Sequence, residues 1–189
     1  MPDFNFCPSL PPSSLITVTG ANGYIAGHVC DQALAAGYRV RGTVRDLNRT
    51  RWLQALFQLK YGAHKFSLVR VEDIFSEGAF DDAVKGASAF VHVATDTNIP
   101  IEPEPFVRRV THSTLSALNS AAMEPTMERF VLTSSTVAAA PWQMDVQYIV
   151  KPNSWNEKWL KEAYEGPFDQ NNLIKVYAAS KVRSRSQTL

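Results

Sequence analysis

Near the amino terminus a short apolar run, Leu15 to Thr19, passes directly into Gly20-Ala21-Asn22-Gly23-Tyr24-Ile25-Ala26-Gly27. Small residues recur there at positions 20, 23, 26 and 27, and Ile25, Val29 and Ala33 follow at helical spacing. Gly37 then stands where a helix C-terminus favours a left-handed residue. A second β-branched run, Arg39 to Val44, completes a strand-turn-helix-strand unit. A chain that leaves a strand through a glycine turn and enters a helix at once has few folds open to it.

The same alternation continues. Strands are predicted at Leu15 to Thr19, Arg39 to Val44, Phe66 to Val71, Ala89 to Ala94 and Phe130 to Ser134. Helices are predicted at Arg51 to Lys60, with Leu53, Leu56 and Phe57 on one stripe, and at Glu104 to Met123, with Val107, Val110, Thr114 and Leu118. Parallel neighbours need crossover connections, nearly always right-handed, so the pattern predicts an α/β doubly wound parallel sheet with helices on both faces. Prolines 8, 11 and 12 with Ser13 and Ser14 predict a poorly structured arm over residues 1–14, leaving residues 15–189 as the domain.

In this context the glycine turn has a chemical reading. Gly20 permits the tight turn, Gly23 lets the backbone approach a pyrophosphate, and Ala26 allows close packing of helix on strand. The phosphates would rest on the unpaired N–H groups and the positive end of the helix dipole. An enzyme using NAD usually offers a carboxylate at the end of the second strand, but here Gly42-Thr43-Val44 delivers Arg45, with Arg49 following. Guanidinium groups suit a 2′-phosphate, so NADP(H) is the expected cofactor. Asp46 is the competing ribose acceptor should the turn shift by one residue.

A second constellation lies near the end of the chain. Tyr177 and Lys181 are four apart, on one face of a helix. A phenol titrates near pH ~10, so a neighbouring ammonium that favours phenolate suits it to acid-base work near neutrality. The fifth strand delivers Ser134 and Ser135 at the C-terminal edge of the sheet, where ligands of open α/β sheets bind. Ser135 could hold a carbonyl oxygen for protonation by Tyr177.

The motifs TGANGYIAGH, RGTVR, VED, HVAT, RFVLTSSTV and VYAASK together resemble the extended short-chain dehydrogenases/reductases of the NAD-dependent epimerase/dehydratase superfamily. The resemblance is greatest to the fungal and yeast NADPH-dependent aldehyde (carbonyl) reductases akin to plant dihydroflavonol reductase, and runs from about Leu15 to Lys181. It implies a Rossmann sheet of order 3-2-1-4-5. It implies cofactor contacts from Gly20, Gly23, Tyr24 and Ile25 at the pyrophosphate, Arg45 and Arg49 at the 2′-phosphate, Asp73 and Ile74 at the adenine, and Ala94 and Thr95 near the ribose. Ser135, Tyr177 and Lys181 match the catalytic triad, Tyr177 and Lys181 also touching the cofactor. The implied reaction is NADPH-dependent reduction of aldehydes or ketones, with Tyr177 as proton donor. The stretch Trp155 to Glu157 also looks like the segment that precedes the Tyr-Lys helix in fungal members.

Relatives continue into a substrate domain. Here Val182 to Leu189 is basic and lacks an apolar period, which reads as a C-terminal truncation. The alternative reading is therefore an inactive NADP-binding module or remnant, its exposed sheet edge favouring homodimers or looser association. An epimerase or dehydratase would share the turn and triad, but Arg45 and the RFVLTSSTV strand speak against it.

Composition sets the remaining bounds. A net charge of +1 gives no basic excess for nucleic acid, and no apolar run approaches a membrane span. The histidines at 28, 64, 92 and 112 have no metal-ligand spacing, so no metal is expected. Cys7 and Cys30 are too few and too far apart for a disulfide framework, and a cytoplasmic location is the expectation. A small carbonyl compound is the expected partner.

Overall fold

The computed structural model describes residues 9–166 and 168–188. Cys7, the rest of the first eight residues and Leu189 lie outside the described residues. The chain divides into two compact units, one of residues 1–73, 80–94 and 120–131, the other of residues 74–79, 95–119 and 132–189.

The first unit is built on β1 (Leu15–Val18), β2 (Arg39–Val44), β3 (Phe66–Arg70), β4 (Ala89–His92) and the start of β5 (Arg129–Leu132), in the sheet order β3-β2-β1-β4-β5. β1 runs parallel to β2 and β4, and β2 parallel to β3. This is the doubly wound Rossmann order predicted from the sequence. Strand periodicity divides the core. Ile16, Val18, Val40, Val44, Phe66 and Ala89 face one side with Ala26, Cys30 and Leu34 of α1 (Tyr24–Ala35) and Leu53 and Phe57 of α2 (Leu47–Tyr61). Leu10, in the leading segment, is buried in the same cluster. On the other side Thr17 Oγ1 and Arg41 Nη1 each donate to the Ala83 carbonyl of α3 (Asp81–Val84), both at 2.9 Å. Phe90 packs there against Phe80 and Phe130.

Two helical stripes differ from expectation. The fully buried stripe of α1 is Ala26, Cys30 and Leu34; of the predicted Ile25, Val29 and Ala33, the last two are partly buried against the same core, and Ile25 is 57% exposed. Small side chains face the strands because the helix must lie close to the glycine turn. α2 starts at Leu47 rather than Arg51 because the Asp46 side chain accepts the Asn48 and Arg49 N–H groups as an N-cap. Its predicted Leu56 is exposed.

The second unit contains most of α4 (Glu104–Met123), α5 (Glu157–Glu165) and α6 (Leu173–Ser186). Phe106, Val107 and Val110 of α4 bury against Ala163 of α5 and Val176 and Ala179 of α6. Asn172, buried just before α6, donates through Nδ2 to the Ile101 and Ala163 carbonyls. Of the basic stretch Val182 to Leu189, which lacks an apolar period, the part as far as Ser186 continues α6, with Val182 and Ser184 buried. Arg185 explains part of this, since its guanidinium stacks 4.2 Å from the Trp155 ring and donates to the Ser154 and Pro152 carbonyls.

Candidate functional site

The end of β1 and the turn after it are locked to both neighbouring strands. Thr19 is fully buried, and its Oγ1 accepts from the Val93 and Ala94 N–H groups at 2.9 and 2.8 Å. On the β2 side, the Gly20 N–H donates to Thr43 Oγ1 and the Ala21 N–H to the Thr43 carbonyl. Gly20 has φ +67°, where a side chain is disfavoured, and a Cβ there would lie 3.3 Å from Ala94 Cβ. Gly20 and Ala94 thus meet across the turn.

Gly23 is the N-cap of α1 and closes the turn by donating to the Gly20 carbonyl at 2.8 Å. No side chain caps α1 and its first turn holds no acidic residue, in contrast to α2 with Asp46. Gly23, Tyr24 and Ile25 are exposed. A helix start with no side-chain cap among the described residues and no acidic residue in its first turn fits an anionic phosphate group.

Arg45 follows β2 directly, and Arg49 lies in the first turn of α2. Both are exposed, and neither guanidinium has a partner among the described residues. Asp46, the competing ribose acceptor, is accounted for by its Oδ1, which holds the Asn48 N–H at 2.8 Å and the Arg49 N–H at 3.3 Å. Asp73 is exposed beyond β3 in the first unit. Ile74 and Thr95 belong to the second unit: the Ile74 carbonyl accepts from Ser113 Oγ at 2.8 Å, and Thr95 Oγ1 is buried without a partner among the described residues.

The second unit also carries Ser135, Tyr177 and Lys181. Lys181 is 6% exposed, and its Nζ donates to the Thr133 carbonyl at 3.3 Å while lying 5.8 Å from the centre of the Tyr177 ring. Burial pulls the ammonium down from 10.5 to about 8. Ser135, two residues on from the carbonyl that Lys181 holds, is half-buried in extended backbone at the head of a 3-10 turn, Thr136–Ala138. Tyr177 is half-buried and packs against the Val137, Trp159 and Ala178 cluster. α6 thus aligns Tyr177 and Lys181, and Lys181 ties that helix to the segment bearing Ser135.

Sequence reasoning missed several supporting residues. Gly42 leaves room for the turn, Thr19 gathers the end of β4, and Asn156 with Trp159 braces the Ser135 segment. Of these, Asn156 lies in the Trp155 to Glu157 stretch singled out in the sequence, and its place before Glu157, at the head of an amphipathic stretch, is the signal of its capping role. Cys30 is buried and its thiol is pushed up to about 12, so it is chemically quiet. Among the described residues there is no cluster of metal-ligating side chains and no helix long and apolar enough to cross a membrane.

A family model described as NAD(P)H-binding matches residues 20–184, from the glycine turn to the last turns of α6. The chain belongs to this NAD(P)H-binding family. Aldehyde reductase 2 of Sporidiobolus salmonicolor is 40% identical over 177 residues, which are 93% of this chain and 51% of that protein. The ketoreductase adrE of Penicillium rubens is 35% identical over 181 residues, 94% of this chain and 52% of its own. Among solved structures, Gre2 of Candida albicans in complex with NADPH superposes with a TM-score of 0.74 at 26% identity, covering 93% of this chain and 52% of that one. The chain spans about half the length of the relatives it matches.

Proposed function

We propose that this chain is an NADPH-dependent oxidoreductase that reduces aldehyde or ketone carbonyls to alcohols, with Tyr177 as the proton donor. The observation that carries the reading is the buried Lys181, beside the Tyr177 ring and fastened to the segment that presents Ser135. NADPH, when bound, supplies the hydride to the carbonyl carbon. Ser135 Oγ donates a hydrogen bond to the carbonyl oxygen and holds it for the phenol. Tyr177 Oη gives its proton to that oxygen as negative charge develops there, and the Lys181 ammonium stabilises the phenolate left behind.

The glycine turn and the uncapped start of α1 support phosphate binding, with contacts from Gly20, Gly23, Tyr24 and Ile25. Arg45 and Arg49, unpaired among the described residues, favour the 2′-phosphate of NADPH over the ribose of NADH. Asp73 and Ile74 are proposed at the adenine and Ala94 and Thr95 near the ribose. The names of the relatives, an aldehyde reductase and a ketoreductase, agree with carbonyl chemistry. A small carbonyl compound is the proposed partner, and the buried Cys30 thiol suits a reducing, cytoplasmic setting. Self-association is proposed through edge strand β5, where Val131 is half exposed.

The purified chain is expected to consume NADPH in a manner dependent on added aldehyde or ketone. Tyr177→Phe is expected to lose about 100-fold or more of that rate while binding NADPH as before. Tight NADPH binding with no turnover on a broad carbonyl panel would replace this reading with that of a cofactor-binding module.

A further inference from the structure

The segment from Thr133 to Ala138, which carries Ser135, is held at both ends by side chains from outside it. At its start, Lys181 Nζ donates to the Thr133 carbonyl. At its end, Asn156 holds it by two bonds and is itself fixed to α5 by a third from its side chain. Its Nδ2 donates to the Val137 carbonyl at 2.7 Å, its backbone N–H donates to the Ala138 carbonyl at 3.0 Å, and its Oδ1 accepts the Trp159 N–H at 3.1 Å as the N-cap of α5.

Asn156 is 1% exposed, and the only side chain that meets this set of demands is a short one with a donor and an acceptor on the same planar group. Trp159, which the cap orients, packs with Val137 and Ala178, and Tyr177 packs against them. The Arg185 guanidinium fixes the approach to Asn156 by stacking on Trp155 and holding the Ser154 carbonyl at 2.9 Å. The last turn of the helix that bears Tyr177 and Lys181 is thereby tied back to the loop leading into Asn156.

From this juxtaposition we infer that Asn156 is a positioning residue for the reaction, setting Ser135 relative to the Tyr177 and Lys181 pair. The inference rests on the carbonyl-reductase reading. It needs no contact of Asn156 with substrate or cofactor. The effect travels through the Val137 carbonyl into the 3-10 turn, whose Ala138 N–H donates to the Ser135 carbonyl at 3.0 Å. A displacement of about 1 Å in a group that aligns a substrate can cost on the order of 100-fold in rate.

Two variants isolate the donor. Asn156→Asp and Asn156→Ser both keep an oxygen for the α5 cap. The first puts an acceptor where the Val137 carbonyl needs a donor, and the second is too short to reach it. Each is expected to lower kcat by about 10- to 100-fold, with KM and Kd for NADPH unchanged within about twofold. Amide hydrogen exchange at Ala138, Ala139 and Ala140 is expected to quicken by about tenfold or more, while exchange in β1 and β2 stays as in the wild type. An unchanged kcat in both variants, or a fall matched by equal loss of NADPH affinity, overturns the inference. Should the wild-type chain bind NADPH and reduce nothing, the carbonyl-reductase reading fails. The inference falls with it, and exchange at Ala138 to Ala140 then reports only whether Asn156 holds the Ser135 segment in place.

Discussion

Gly42 of β2 and Ala21 of the glycine turn lie back to back, so that a Cβ built on Gly42 would stand 2.5 Å from Ala21 Cβ. The same Cβ would be 3.2 Å from Leu68 Cδ2 and from Phe66 Cζ. Crowding on three sides leaves nowhere to move cheaply. Gly42→Ala is expected to destabilise the protein by roughly 1–3 kcal/mol and to weaken NADPH binding, because the turn must lift away from the Thr43 carbonyl that holds it. Urea unfolding and calorimetric titration on the same preparation check both effects. A variant of wild-type stability would mean that the turn does not pack as described.

Arg45 and Arg49 are exposed and unpaired among the described residues, so removing either guanidinium should leave the fold intact. Arg45→Ala and Arg49→Ala are each expected to weaken NADPH binding by about tenfold while leaving NADH binding nearly unchanged. Asp46→Ala should do the opposite, costing about 1 kcal/mol of stability through the lost cap of α2 without shifting the preference between cofactors. Equal losses for NADPH and NADH in the arginine variants would remove the 2′-phosphate assignment.

Lys181 trades stability for chemistry. Its folded-state value of about 8 lies below the ordinary 10.5 because of burial. Between those two values the unfolded chain keeps a proton that the folded chain has released, so stability rises with pH across that window. Below about 8 the cost of the buried charge is present in full, on the order of 3 kcal/mol. Lys181→Met is therefore expected to be more stable than wild type at pH 7 by about 2 kcal/mol, after losing about 1 kcal/mol from the bond to Thr133, and to be inactive. Urea unfolding at pH 7 and above pH 10 should show the gain shrinking as the wild type sheds its proton. A gain that is absent at pH 7 would contradict the buried ammonium.

Much of this arrangement was legible in the sequence. The strand-turn-helix-strand unit and the positions of the Gly20 turn and the Tyr177–Lys181 helix follow from periodicity and spacing, which local structure expresses directly, and the sheet order from the family resemblance. What escaped depended on contacts across sequence. In α1 periodicity points to Val29 and Ala33, which pack partly against the core, but not to the fully buried Ala26 and Cys30, small and weakly apolar residues set by closeness to the strands rather than by hydrophobicity. The polar end of α6 looked unperiodic because Ser184 is buried and Arg185 anchors through a ring and two carbonyls, which composition cannot show. Asp46, the competing ribose acceptor in the sequence, also stands before Leu47 as an ordinary helix cap. Gly42 showed no sign of its role, since the close approach exists only once the turn folds over β2.

In the proposed reaction a hydride passes from NADPH to a carbonyl carbon, with Tyr177 as the acid. The most direct measurement is to incubate the chain with an aldehyde or ketone and NADPH carrying deuterium at its transferable position, and to analyse the alcohol by mass spectrometry. The account predicts one deuterium on the carbinol carbon with the wild type, and on the order of 100-fold less labelled alcohol with Tyr177→Phe. Alcohol formed without the label, or formed equally well by Tyr177→Phe, would contradict it.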